Sequence, residues 1–479
     1  MAIEGNKVNT GLSIYGHMQT TPYFPSMRAL CAPLGSCLRQ AASSAGDLGG
    51  LSALFGSFFP GLLVSSEKGP GSRRRQFGRV DIFWAFLAQV LRRGDSCRAA
   101  LIRLQAAMVA RGAARPSDNT SAYCQARQSL DLSWLQSLFA SVNRWFTPRT
   151  PGDWLGRTVR IMDGSCFSMP DSAENARQFD YPGCQKKGCG FPLGKFVGLF
   201  CLHSGHLITF AYATWKTHEL TLARMITHHL KPGNVLLADR LYCGYEFLSE
   251  LLRRRVDFVI RLHGSRKTIR NGCGSWCETF KRGPKSKGVS LERLQRMPGQ
   301  ITVRLVRFKA PCRGYRTQTM TIATSLLDRS AFPDHAIAAL YMQRWHIELH
   351  YRQIKTNLGL DVLRGLSPAT VERELWMHAI AYNLIRALML KGALTGQIPV
   401  ARLSFKGTLD LLMSWAPLAT RKRLLRHLKQ ELIDRIIFDL VPFRPGRSEP
   451  RAKKRRPKNY QFLTKPRHIF RVSASRALK

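Results

Sequence analysis

Acidic side chains are scarce in this chain. Its 479 residues include 30 Asp and Glu against 74 Lys and Arg, a formal net charge of +44. Such an excess disfavours acidic partners' opposites and calls for a polyanion, with nucleic acid first and an anionic membrane surface as the alternative. Long apolar runs are lacking too. No stretch reaches the roughly 18–20 uninterrupted apolar residues of a spanning helix. LSALFGSFFPGLLVSS, from Leu51 to Ser66, comes nearest, but Gly56, Pro60 and Gly61 interrupt it. It also lies too deep for a secretory leader, and the opening MAIEGNK lacks a basic-then-apolar pattern. A protein of the cell interior with no membrane span is expected. The 12 cysteines are then read as reduced thiols. Cys184 and Cys189, and Cys273 and Cys277, lack the close Cys-x-x-Cys spacing that marks a zinc site.

What is present is enough apolar material, 44% of residues, for the cores of several domains. Residues 1–75 are weakly patterned and rich in Gly, Ser and Ala, and are expected to form a poorly ordered extension. Residues 76–155 read as a helical DNA-binding domain. VDIFWAFLAQVLRR, SCRAALIRLQAAMVARG and DLSWLQSLFASVNRWF carry helical periodicity, and SDNTSAYCQARQSL supplies caps and a short fourth helix. A helical packing domain fits the same pattern. From Thr158 the period changes. TVRIMDGSCFSM, KFVGLFCLHSG and HLITFAYATW read as strands, followed by alternating helices and strands through HELTLARMITHHL, NVLLADRLY, GYEFLSELLRRR and DFVIRLH. Three β runs followed by alternating α and β describe a mixed sheet flanked by helices. A polar, glycine-bearing stretch and a hairpin, QITVRLVRFKAP with YRTQTMTIATSL, make a β insertion over about 264–328 within a catalytic domain of 156–375. Residues 376–445 are helical. Residues 446–479 form a basic tail with Glu449 as its one acid, an arm for an anion.

The stretch YMQRWHIELHYRQIK places Tyr341, Arg344, Glu348 and Lys355 in one row. At about 100° per residue they fall within a stripe roughly 60° wide. Leu340, Ile347, Tyr351, Ile354 and Leu358 form an apolar seam beside it. Surface helices put charge opposite the seam; a charged row at its border is placed to face a cleft. Two aspartates follow buried β runs: Asp163 after VRIM and Asp239 after VLLA. Acids at strand ends either cap turns or gather at functional sites. With Glu348 they make three carboxylates that could hold two Mg²⁺ ions, which take hard oxygen ligands. Such a pair can activate a water or a 3′-hydroxyl against a phosphodiester.

These residues carry a resemblance. The spacing Tyr-x2-Arg-x3-Glu-x6-Lys, with DGSCFSMPDSAENARQF, CQKKGCGFPLGKFVGLF, KRRPKNYQFLTKPR, SCRAAL and NTSAYCQAR, is similar to the DDE transposases of the insertion-sequence-4 group. The likeness spans about residues 76–470. It implies an α/β fold with an RNase H-like mixed-sheet core, an inserted β domain, and helical N- and C-terminal regions. It implies that Asp163, Asp239 and Glu348 are the catalytic acids and metal ligands for Mg²⁺, or Mn²⁺ in its place. Tyr341, Arg344 and Lys355 would contact DNA phosphates. The implied activity is cleavage at the ends of a mobile element, then joining of a 3′-hydroxyl to target DNA. The implied partners are the terminal inverted repeats, target DNA and a second copy in a synaptic homodimer, in a bacterial cytoplasm near the nucleoid.

The reading requires Asp163, Asp239 and Glu348 to converge to metal-bridging distance. Asp171 and Glu174 are rivals for the first acid, but they follow Pro170, past the strand. Asp257 is expected to pair with Arg253, Arg254 and Arg255. Trp345 is read as core or as a base-stacking residue, and His218 with Glu219 as a helix cap or a site edge. Lys186 and Lys187 lie in a glycine-rich loop that either touches DNA or is simply solvated. Two other functions compete: a catalytically silent DNA-binding relative, and a nuclease with the same core.

Overall fold

The helical periodicity near the N-terminus becomes four helices. The computed structural model describes residues 48–61, 77–149, 154–183, 189–264, 266, 272–283, 291–310, 318–420, 425–442 and 469. A helix over 48–55, α1, is followed by α2 (Arg79–Leu91), α3 (Cys97–Ala110), α4 (Thr120–Gln128) and α5 (Leu132–Phe146). The side chains of Ser96, Asn119 and Asp131 accept from the first-turn amides of Ala99, Ser121 and Ser133 and so start α3, α4 and α5. α2 is buried from Ile82 through Leu91 because its sequence is apolar nearly all round.

Within the 1–75 extension, part of which is expected to be poorly ordered, residues 48–61 pack on the helices. Leu51, Phe55 and Phe59 are buried, Phe59 meets Phe83 edge-to-face at 5.5 Å, and the Ser141 hydroxyl donates to the Phe58 carbonyl at 2.8 Å. The glycines that interrupt the apolar run deny a membrane span but leave enough aromatic surface to bury. Gly50 permits a close approach, since a Cβ there would stand 1.6 Å from the Ala416 carbonyl oxygen. Residues 1–47 and 62–76 lie outside the described residues.

The β runs build one sheet. β1 (Thr158–Ser168), β2 (Leu193–Cys201) and β3 (Leu207–Thr214) form an antiparallel meander, with α6 (Ala173–Phe179) between β1 and β2. α7 (Glu219–Ile226) leads to β4 (Asn234–Ala238), and α8 (Tyr245–Arg253) leads to β5 (Asp257–Arg261). β4 runs parallel to β1, and β5 parallel to β4. This is a mixed α/β core. The insertion holds β6 (Gly274–Lys281), α9 (Leu291–Gln295), β7 (Gln300–Ala310) and β8 (Gln318–Thr324). Its strands join the core edge by antiparallel pairing of β8 with β5, so one eight-stranded sheet runs β3-β2-β1-β4-β5-β8-β7-β6.

After β8 come α10 (Asp334–Met342), α11 (His346–Arg352), α12 (Pro368–Gly396), α13 (Phe405–Trp415) and α14 (Leu425–Phe438). α12 opens with Ser367 as cap and Pro at its first turn, and most of its residues are buried. A buried ion pair, Arg127 to Glu374 at 3.0 Å, ties α4 to α12. Glu374 also accepts from the backbone N–H of Arg364 and Gly365, so the buried charge is satisfied. No described helix is long and apolar enough to cross a membrane. The tail from 443 onward, Ile469 apart, lies outside the described residues, as do Lys186 and Lys187.

Candidate active site

Register brings the two aspartates to equivalent positions. The parallel ladder of β1 and β4 ends at Ile161 opposite Leu237. Asp163 lies two residues beyond the first and Asp239 two beyond the second. Side chains alternate along strands, so Asp163 continues the face of buried Ile161, and Ser165 shares it. One expectation is corrected here. Asp163 does not end its strand; β1 continues to Ser168, with Asp163 opposite Gly198 of β2. Only its β4 neighbour stops, which leaves one edge of β1 open at the acid. Asp239 follows β4 and accepts from the Leu241 N–H at 2.7 Å, capping the 3₁₀ turn Arg240–Tyr242.

The stretch from Tyr341 is not one regular helix. α10 gives way to a 3₁₀ turn at Gln343–Trp345, α11 follows, and a π turn occupies Gln353–Asn357. The apolar seam survives these changes of winding, with Leu340, Ile347, Tyr351, Ile354 and Leu358 all buried. The polar row beside it turns toward β1. One Arg344 guanidinium nitrogen stands 4.0 Å from Asp163 Oδ2, and the other 3.9 Å from Glu348 Oε1. Lys355 Nζ donates to Ser165 Oγ at 3.0 Å. Tyr341 is buried, whereas the Glu348 side chain is half exposed. Tyr351, read from sequence as seam, does more than fill space. Its hydroxyl donates to the Asp163 carbonyl and accepts from the Gly198 N–H at 3.1 Å, anchoring α11 to β1 beside the acid.

Electrostatics follow from this crowding. Burial pushes the Asp163 carboxyl up to about 7, helped by the charges of Asp239 and Glu219 and opposed by the Gly164 N–H and Arg344. Burial also raises the Tyr341 phenol, against the nearby Arg344 and Arg261. Asp163 and Asp239 offer the hard oxygen donors that suit Mg²⁺. The expected convergence of all three acids is not met in this conformation. Among the described residues no group of three acidic, His or Cys side chains lies close enough to hold a metal ion. Arg344 stands between Asp163 and Glu348, and Glu348 leans toward solvent.

The rival residues resolve as follows. Asp257 pairs with Arg157 at 3.1 Å and accepts from Ser325, rather than pairing with the three arginines preceding it. Asp171 accepts from the Tyr181 hydroxyl. Trp345 is exposed, not core, with the Arg344 guanidinium 5.1 Å from its ring. His218 caps α7 through the Leu220 N–H. Glu219 instead accepts from the Tyr242 hydroxyl at 2.7 Å and lies against Gly164. In the sequence it is indistinguishable from a first-turn acid that favours the helix dipole.

Comparison with known proteins gives matches to transposases. Residues 154–384 match the family model described as "Transposase DDE domain". The chain is 27% identical over 409 residues to "Transposase InsG for insertion sequence element IS4" of Escherichia coli (strain K12), covering 82% of this chain and 89% of the relative. The chain thus resembles the insertion-sequence-4 group of DDE transposases. It is also 24% identical over 281 residues to "Transposase for insertion sequence element IS231F" of Bacillus thuringiensis subsp. israelensis, covering 49% of this chain and 57% of the relative. Among solved structures, a piggyBac transposase in a synaptic complex with hairpin DNA aligns with TM-score 0.42 and 12% identity, over 86% of this chain and 87% of that one.

Proposed function

We propose that this transposase cuts DNA at the ends of its element and joins the freed 3′-hydroxyl to target DNA, with Asp163, Asp239 and Glu348 as the acids. The observation that carries the reading is the register of Asp163 and Asp239 on neighbouring parallel strands, with Arg344 linking Asp163 to Glu348. Asp163 and Asp239 would hold a divalent cation, Mg²⁺ or Mn²⁺, with Glu348 completing the set. The bound cation would supply Lewis-acid activation of the attacking oxygen and stabilise the leaving one.

The chain's own residues do the positioning. Arg344 can grip a phosphate through two parallel hydrogen bonds, Lys355 adds a point charge, and Tyr341 offers one bond. The chain's net charge of +44 favours association with DNA, and two copies would bring two element ends together. One observation favours a second reading, DNA binding without cutting: among the described residues no three acidic, His or Cys side chains lie close enough to hold a metal ion.

The test is a linear DNA carrying the element's own ends, incubated with Mg²⁺ or EDTA. Cutting at the ends that needs Mg²⁺ and vanishes in Asp163→Asn, Asp239→Asn and Glu348→Gln is the expected result. Binding by the wild type with no cutting under any condition supports the silent reading instead.

A further inference from the structure

Asp163, with Ile161 and Ser165, lies on one face of the sheet. The opposite face carries a second feature. Side-chain alternation turns Gly164 away from Asp163, toward the side where Met162 is buried with Leu222 and Tyr242. The place of a side chain at 164 is taken by Glu219. A Cβ there would lie 2.2 Å from the Glu219 carboxyl carbon and 2.4 and 2.6 Å from its oxygens. The carboxylate is held by the Tyr242 hydroxyl at 2.7 Å, and Tyr242 is fully buried. Tyr242 closes the 3₁₀ turn that begins at Asp239. One side chain thus touches β1 next to Asp163 and grips the turn next to Asp239, just where the β1–β4 ladder has ended.

We infer that Glu219 is a positioning residue of the cleavage centre, a strut that fixes the spacing of Asp163 and Asp239 through Gly164 and Tyr242. The inference rests on the proposal that those two aspartates hold a divalent cation. It also explains why residue 164 is glycine although its backbone is ordinary extended strand: the constraint comes from the carboxylate, not from φ. Because that carboxylate ends a flexible side chain, alanine at 164 would evict it without breaking the sheet.

The experiment compares Glu219→Ala, Glu219→Gln, Gly164→Ala and the double variant Gly164→Ala/Glu219→Ala in the full chain. Mn²⁺ binding is followed by electron paramagnetic resonance without DNA, the Mg²⁺ requirement by cutting of element-end DNA, and the fold by melting in EDTA. Glu219→Ala is expected to weaken Mn²⁺ binding and raise the half-maximal Mg²⁺ about tenfold, as loss of a residue that orients a ligand does. Glu219→Gln keeps an acceptor for Tyr242 and is expected to stay within about threefold of wild type. Gly164→Ala should match Glu219→Ala and add almost nothing to it in the double variant, since both act on one contact.

Wild-type behaviour of Glu219→Ala overturns the inference. So do independent, multiplying effects of the two single changes. A Gln variant as impaired as the Ala variant also overturns it, in favour of a charge acting directly on the cation. Asp163→Asn is the control. If it still binds Mn²⁺ and cuts, the active-site reading fails; if it loses both while Glu219→Ala behaves as wild type, only the strut fails.

Discussion

Asp163 shows how one residue can be costly to the fold and useful to the site. Its carboxyl is displaced upward, to about 7, first by burial and then by neighbouring acids. A folded pKa above the unfolded value means the folded state holds the proton more tightly. The stabilising contribution is therefore present below the unfolded pKa, near 4, and is lost as pH rises through about 7. Asp163→Asn is thus expected to stabilise the fold at pH 8 in EDTA by on the order of 2 kcal/mol after allowing for partial exposure, seen as a higher melting temperature. The gain should shrink to about a third at pH 5 and vanish only as pH falls below the unfolded pKa near 4. A gain that is equal at both pH values would contradict the assignment.

Elements decide where such residues point. The insertion contributes more than extra strands, because Arg304 of β7 is fully buried and reaches the segment that starts α10. It donates to the carbonyls of Leu326 at 3.2 Å and Phe332 at 2.8 Å, and pairs with Asp334 at the first turn. α10 leads directly into the turn bearing Arg344 and then to Glu348. Arg304→Met leaves those buried carbonyls unpaired and is expected to cost about 3 kcal/mol in urea unfolding. At conditions where the variant is still folded, end cutting should fall while overall DNA affinity holds. Unchanged cutting would detach the insertion from the active helix. The changes of winding at Gln343–Trp345 and Gln353–Asn357 belong to the same scale; π turns recur at functional sites, where they re-aim side chains.

At the scale of the whole molecule, charge and burial set the response to conditions. With 74 basic residues, DNA affinity should fall steeply as salt rises. Lys355→Ala should lower the slope of log K against log salt by about one, uniformly across sequences; an unchanged slope would remove Lys355 from the phosphate contacts. Acid should act through the core. Burial holds His206 and His350 well below the usual histidine range, with Arg160 and Arg386 adding to the first and Arg386 and His346 to the second. A depressed folded pKa means stability is fully present above the unfolded value near 6.5 and is lost as pH falls below it. Melting scans in EDTA from pH 8 to pH 5 should show that loss. His350→Phe, which keeps the stack on Phe200, should reduce it.

Local pattern determined much of this protein. The seam of Leu340, Ile347, Tyr351, Ile354 and Leu358, the four helices between Arg79 and Phe146 with the caps of the last three, and the apolar runs that deliver Asp163 and Asp239 were all legible, because helix and strand periods are written within a few residues. Tertiary structure alone decided the rest. Glu219 meets Gly164 across 55 positions, Tyr351 reaches the Asp163 carbonyl, and the 48–55 helix packs against Ala416. Such contacts depend on strand register and crossover, which no local period encodes. The same reason placed Arg344 between Asp163 and Glu348: a row on one helix face can be counted from sequence, but what that face meets is settled by the sheet beneath it.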